Sequence, residues 1–166
     1  MGLLVLLRHA KAVRDHEAES DRARELTPRG RRDAAAAGRA LVEAGLAPLT
    51  MRVSPSARTR ATAHIVRPLL AAPPAVELIE PLYMAGPQEI WRECADAVDA
   101  GVMVVGHNPG LHALAVLLAG RSGERSQLVR RFAEGLPTSA WAAFDVEGDA
   151  LQSTSARLLA AWSPKD

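Results

Sequence analysis

The chain begins its first element with the stretch LLVLLRH, residues 3–9. Five consecutive apolar residues without polar alternation are typical of a strand covered on both faces, as in a parallel sheet. Arg8 and His9 end the run well before it reaches the length of a membrane span or of a secretion signal. The segment therefore predicts a buried first strand with two basic side chains at its carboxyl end.

A loop and a helix are predicted after this strand. Residues 14–25 are almost entirely charged or small and lack periodicity, which predicts an exposed loop that could lie over a site. Thr27 then supplies an N-cap hydroxyl and Pro28 a suitable first helical residue. The Ala- and Arg-rich sequence that follows predicts a helix over residues 28–44, ended by Gly45.

The same alternation continues along the chain. Residues 49–53 predict a second strand, and Ser54-Pro55 repeats the cap-and-proline start before a helix that reaches about Leu70. The later predicted elements are a short strand at 76–79, a helix at 88–98, a strand at 101–105, a helix at 111–118 and closing strands at 140–146 and about 154–162. We expect one domain over residues 1–166, a three-layer α/β/α sandwich with a largely parallel central sheet.

Composition narrows the classes of function. The 166 residues include 20 Lys+Arg and 19 Asp+Glu, so the formal charge of +1 gives no indication of nucleic acid or an anionic membrane as a partner. Cys94 is the only cysteine, so one chain can build neither an internal disulfide nor a cysteine-based zinc site. We therefore expect a cytoplasmic protein that binds neither nucleic acid nor membrane.

Three predicted strand-to-helix junctions carry polar residues suited to a site. They are Arg8-His9, the segment from Ser54 to Arg58, and Gly106-His107-Asn108. In a parallel sheet these junctions open on one edge, near helix N-termini whose free N–H groups favour an anion. Guanidinium groups grip phosphate oxygens bidentately and stay charged at cellular pH. The pattern predicts a phosphate ligand.

Histidine can itself carry a phosphoryl group as a covalent intermediate. Cations beside an imidazole disfavour its protonation, so His9 next to arginines is the candidate nucleophile. Phosphoryl transfer mainly needs charge neutralisation and in-line positioning, which Arg8, Arg58 and His107 would supply. No metal and no other cofactor is required by this chemistry.

Four segments occur in order along the chain: LRHA at 7–10, LTPRG at 26–30, SPSARTRAT at 54–62 and VGHNPG at 105–110. Together they resemble the ordered signatures of the histidine phosphatase (phosphoglycerate mutase-like) superfamily, and within it the SixA-type phosphohistidine phosphatase branch. The resemblance covers residues 2 to about 120. One departure is Ala10, where most of the superfamily has glycine, a change common in this branch.

The resemblance also implies roles for individual residues. It makes His9 the phosphorylated nucleophile and places Arg8, Arg58 and His107 in the phosphate pocket. Arg24, just before the LTPRG segment, matches a position where the branch often has a further pocket arginine.

A candidate general acid bears on the substrate class. Glu80 matches by spacing a glutamate that mutase-like members carry after the third strand and that SixA-type members can lack. An alkoxide leaving from a phosphate ester must be protonated, whereas imidazole is a far weaker base and needs less help.

Three functions fit these residues. The preferred one is a metal-independent phosphatase that acts through a phosphohistidine on His9, with phosphohistidine on a protein as the substrate. The alternatives are a phosphomonoesterase of the same superfamily that acts on a small phosphorylated metabolite, and a phosphate-recognition module without turnover.

Other reactive side chains have a structural interpretation. Cys94 lies on an apolar helical stripe with Ile90 and Val98, which predicts a core thiol and not a nucleophile. His112 follows His107 by five residues, so the two face different sides of a helix and are unsuited to hold a metal together.

Overall fold

The structure is a computed structural model that describes residues 2–121, 134–148 and 155–164. Its strands are β1 (Gly2–Arg8), β2 (Thr50–Val53), β3 (Ala75–Leu78), β4 (Val102–Gly106), β5 (Trp141–Glu147) and β6 (Ser155–Trp162). Its α-helices are α1 (Pro28–Glu43), α2 (Ala57–Val66), α3 (Pro87–Arg92) and α4 (Gly110–Arg121). The strand and helix order agrees with the predicted alternation.

The strands form one six-stranded sheet in the order β3-β2-β4-β1-β5-β6. Strands β1 to β4 are parallel, while β5 and β6 add an antiparallel edge. Leu7 and Val53 both pair with Val105, so the carboxyl ends of β1, β2 and β4 lie at one level of the sheet. The three junctions that follow these strands therefore open on the same edge.

Apolar residues of the sheet pack on both faces, which gives the predicted three layers. Leu4 and Leu6 of β1 belong to a core cluster that includes residues of α3 and α4. The alternate residues Val5 and Leu7 belong to a second cluster with residues of α1 and α2. Because both faces are covered, β1 has the continuous apolar run expected of a parallel core strand. The α/β sandwich predicted from the sequence is confirmed.

Two helix boundaries differ from the prediction. Helix α2 begins at Ala57 with Ser56 as its N-cap, and the Ser56 hydroxyl accepts a hydrogen bond from the Thr59 N–H. The predicted Ser54-Pro55 start was wrong because the Ser54 hydroxyl is bonded to a histidine instead. At its other end, α2 stops at Val66 and passes into a short 3₁₀ turn, Arg67–Leu69, which contains a proline that lacks the N–H an α-helix needs.

The helix predicted over residues 88–98 is also shorter in the structure. Helix α3 ends at Arg92, and the chain leaves helical geometry at Cys94, where φ is −132°. A separate 3₁₀ turn, Ala95–Ala97, completes the segment. Cys94 is fully buried and lies in the core as predicted, and burial raises the pKa of its thiol to about 12. No helix in the described ranges is long and apolar enough to cross a membrane.

Candidate active site

Two histidines and a buried arginine meet where β1, β2 and β4 end. The ring centroids of His9 and His107 are 5.4 Å apart, with an angle of 56° between the ring planes. Nη2 of Arg58, from the first turn of α2, lies 3.4 Å from Nδ1 of His107. All three residues are buried: His9 is 8% exposed, His107 2% and Arg58 1%. The structure thus brings together side chains separated by 98 positions in the sequence, from 9 to 107.

His9 is held through its Nδ1 nitrogen. Its Nδ1 lies 2.8 Å from the carbonyl oxygen of Ala10, which can only accept, so Nδ1 carries the proton and Nε2 carries a lone pair. Burial, and to a smaller extent the charges of Arg58 and Arg8, lower the pKa of His9 to about 3. The ring is therefore neutral at pH 7 and its Nε2 can act as a nucleophile.

The two arginines at the site each have a buried Nε–H that lacks a hydrogen-bond partner among the described residues. Arg8 donates from Nη1 to the Leu136 carbonyl at 3.0 Å. Arg58 donates from Nη1 to the Asp21 carbonyl at 2.6 Å and from Nη2 to the Asp21 carboxylate at 3.0 Å. Unpaired buried donors are costly, and an anion bound between guanidinium groups would satisfy them.

His107 is fixed from both ring nitrogens. Its Nε2 lies 2.7 Å from the hydroxyl of Ser54, and its Nδ1 faces Arg58. Burial is the main cause that lowers the pKa of His107 to about 4, followed by the charge of Arg58, while Asp21 acts in the opposite direction. The neighbouring Asn108 donates to the Leu136 carbonyl at 2.9 Å, the same oxygen that accepts from Arg8.

Asp21 and Tyr83 belong to the site although no sequence pattern predicted them. The Tyr83 hydroxyl donates to the Asp21 carboxylate, and the Tyr83 ring packs edge-on against His107 with centroids 5.5 Å apart. The hydrogen bond from Tyr83, and then the contact with Arg58, lower the pKa of Asp21 to about 2. The available signal was weak: Tyr83 is the only tyrosine of the chain, but Asp21 resembles any acid in a charged loop.

The two remaining candidates, Arg24 and Glu80, lie at the margin of the site. Nε of Arg24 is 3.0 Å from the Asp15 carboxylate and 3.1 Å from that of Asp21, and Nη1 donates to a loop carbonyl. In this arrangement Arg24 braces the loop that carries Asp21. Glu80 is two-thirds exposed and forms an ion pair with Arg22, whose guanidinium stacks on the Tyr83 ring at 4.3 Å.

The buried neutral histidines and the arginines at the ends of the parallel strands form a site of an α/β protein that is suited to a phosphoryl group. The model of the histidine phosphatase superfamily (branch 1) matches residues 4–80 of the chain. The chain is also 37% identical over 145 residues to the uncharacterized protein Rv1276c of Mycobacterium tuberculosis strain H37Rv, across 86% of this chain and 88% of the relative. The chain belongs to the histidine phosphatase superfamily.

Solved structures support the resemblance to the SixA-type branch. The structure titled "Putative Phosphohistidine Phosphatase SixA from Nakamurella multipartitia" is similar to this chain, with a TM-score of 0.81 and 31% identity over 98% of this chain and 96% of that chain. A protein histidine phosphatase SixA complexed with tungstate has the same fold, with a TM-score of 0.74 and 23% identity over 97% of this chain and 96% of that chain. The predicted superfamily and branch resemblance are confirmed.

Proposed function

We propose that this protein removes the phosphoryl group from phosphohistidine on a protein, through a covalent phosphohistidine on His9. The observation that carries the proposal is the hydrogen bond of 2.8 Å from His9 Nδ1 to the Ala10 carbonyl, which leaves the Nε2 lone pair free for attack on phosphorus. Arg8, Arg58 and His107 would hold the phosphoryl oxygens, and Arg24 would support them through the Asp21 loop. No metal or cofactor enters this reaction.

The reaction balances because the nucleophile and the leaving group are both neutral imidazoles. The His9 Nε2 lone pair forms a bond to phosphorus while the P–N bond of the substrate breaks. When the other ring nitrogen of the substrate carries a proton, its ring leaves as neutral imidazole and His9 keeps the proton on Nδ1. Water then attacks phosphorus, the bond to Nε2 breaks, and inorganic phosphate leaves with both protons of the water.

The carboxyl groups near the site favour imidazole as the leaving group. Asp21 is hydrogen-bonded by Tyr83 and paired with Arg58, and its pKa of about 2 means that it has no proton to donate at neutral pH. Glu80 is bound by Arg22 in an exposed position. An alkoxide would need a proton donor, whereas an imidazole, whose conjugate acid has a pKa of about 6.5, leaves without one.

We also propose a partner and a cellular location for this protein. Its partner is a phosphorylated protein, and its location is the cytoplasm, where the free thiol of Cys94 stays reduced.

A substrate panel tests the proposal. Phosphohistidine protein, sugar phosphates and nucleotides are offered at equal concentration, and the enzyme is quenched during turnover to trap an acid-labile label for peptide mapping. We expect the phosphohistidine protein to be the best substrate and the label to lie on His9. A preference for esters would favour the small-molecule phosphomonoesterase, and phosphate binding without turnover or label would favour the recognition module.

A further inference from the structure

Ser54 is a buried hydroxyl outside the set of groups that would touch the phosphoryl group. It follows β2 directly and is 0% exposed. Its N–H donates to the Val105 carbonyl at 3.0 Å, and its own carbonyl accepts from the Thr59 hydroxyl at 2.6 Å. These main-chain contacts fix the Ser54 hydroxyl 2.7 Å from Nε2 of His107.

The partners of His107 determine where its single proton lies. Nη2 of Arg58 lies 3.4 Å from Nδ1, and a guanidinium can only donate, so Nδ1 presents its lone pair. The proton of the neutral ring is therefore on Nε2, where it is donated to the Ser54 hydroxyl oxygen. This is the opposite arrangement from His9, which holds its proton on Nδ1.

An oxyanion bound at Arg58 would meet this Nδ1 lone pair. Two electron-rich atoms repel each other, so His107 can donate to the anion only after Nδ1 gains a proton. We propose that Ser54 is a positioning residue that keeps the first proton of His107 on Nε2, so that binding of a tetrahedral oxyanion is coupled to the uptake of one proton on Nδ1. The inference rests on the proposed function because it assumes that the anion binds at Arg58.

The charges around His107 support this coupling. The cations Arg58, Arg8 and Arg24 disfavour a second proton in the ligand-free site, while the Asp21 carboxylate favours it. The His9 ring and the Tyr83 ring, which pack against His107, are neutral at pH 7. A bound dianion offsets the arginine charges, so the imidazolium becomes the favoured form in the complex.

Nitrogen-15 NMR of the histidine rings in the wild-type protein tests the proposal directly. The signals of His107 are assigned with the His107→Asn variant, and sulfate is the probe because it stays a dianion across the pH range used. We expect the Nε2–H form of His107 in the free protein and protons on both nitrogens in saturating sulfate. An Nδ1–H form in the free protein, or an unchanged single proton in the complex, would overturn the inference.

Calorimetry in buffers of different ionisation enthalpy gives a second readout. We expect an uptake of close to one proton per bound sulfate. At pH values above the pKa of His107 in the free protein, the affinity for sulfate should therefore weaken about tenfold per pH unit. Binding without proton uptake would mean that the Ser54 hydroxyl reverses and donates to Nε2 in the complex, which contradicts the inference and leaves the proposed function intact. If neither sulfate nor phosphate perturbs His9 or His107, both proposals are wrong.

Two serine variants separate positioning from folding. Ser54→Ala removes the acceptor of Nε2–H, so we expect sulfate binding at pH 7 to weaken about tenfold and its pH dependence to move to lower pH. Ser56→Ala is the matched control, since Ser56 is equally buried but caps α2 without touching His107. It should lower thermal stability and keep the wild-type pH dependence. Identical pH dependence in both variants would overturn the role of Ser54, and the wild-type NMR experiment decides if Ser54→Ala does not fold.

Discussion

The Asp21 carboxylate lies 3.0 Å from Nη2 of Arg58, and the Asp21 carbonyl lies 2.6 Å from Nη1 of the same side chain. One residue of the 14–25 loop thus binds both terminal nitrogens of the arginine assigned to the phosphoryl group. A phosphoryl group that uses these nitrogens has to compete with a carboxylate of the same chain.

Asp21→Asn should therefore bind inorganic phosphate more tightly. Loss of the competing negative charge is expected to lower the Kd about tenfold, measured by calorimetry at pH 7. Asp15→Asn is the control, because it removes the same charge from the same loop, while Asp15 is 85% exposed and pairs with Arg24 and not with Arg58. An equal effect in both variants would indicate a long-range charge effect, and weaker binding in Asp21→Asn would contradict competition.

His9→Ala should abolish turnover. Removal of the proposed nucleophile is expected to reduce kcat by at least about a thousandfold and to eliminate the covalent label. The exposed His64 provides the control variant His64→Ala, which should keep wild-type kcat. Circular dichroism checks that both variants fold. Full activity in a folded His9→Ala variant would show that His9 is not the nucleophile.

Arg58→Ala should weaken phosphate binding strongly. We expect a loss of about a hundredfold, because a buried guanidinium that offers several N–H donors is removed. Arg60→Ala removes an arginine of the same helix whose side chain is exposed, and it should change the Kd less than about twofold. Binding curves that coincide for the two variants would count against the assignment of Arg58.

Acid should destabilise the protein below pH 6.5 in a manner that depends on the two site histidines. Their pKa values of about 3 for His9 and about 4 for His107 lie below the ordinary value of 6.5, so the unfolded chain binds protons that the folded chain does not. The free energy of unfolding should fall from pH 6.5 to about 4, by at most about 1.4 kcal/mol per pH unit for each histidine. The lowered pKa of Asp21 affects the free energy of unfolding in a separate pH range, below the ordinary carboxyl pKa of 3.8.

Urea unfolding at several pH values measures this dependence. The double substitution of His9→Gln and His107→Gln should flatten the slope between pH 6.5 and 4. A slope that persists in the double variant would assign the effect to other groups.

Glu80→Gln distinguishes the two kinds of leaving group. Because Glu80 is bound to Arg22 at the exposed margin, the substitution should change the turnover of phosphohistidine protein less than about threefold. Steady-state kinetics with a phosphoprotein and with a phosphate ester provides the comparison. A large loss confined to the ester would identify Glu80 as a general acid for that reaction.

The sequence was most informative where burial and chemistry coincide. The apolar run of β1 predicted a strand covered on both faces, and the pairing of Leu7 and Val53 with Val105 shows why three junctions open together. These contacts follow from the parallel order of the strands, which the alternation of strands and helices indicates. His9 and His107 could be proposed as neighbours on this basis alone.

Local details were less predictable because they depend on competition between partners. Ser54 and Ser56 are both suitable caps by residue type, but Ser56 caps α2 while the Ser54 hydroxyl contacts His107. Asp21 and Asp15 lie in the same charged segment of the sequence, yet of these two only Asp21 contacts Arg58. Such choices arise from tertiary contacts that no local pattern contains.

The Leu136 carbonyl oxygen accepts hydrogen bonds from both Arg8 and Asn108. Since this acceptor belongs to the main chain, replacing the side chain at position 136 does not remove it. Alanine scanning therefore cannot detect the contribution of this carbonyl. Sequence alignments would not show it as a conserved residue either. An ester in place of the amide, or a shortened backbone around position 136, is the kind of change that would expose its contribution.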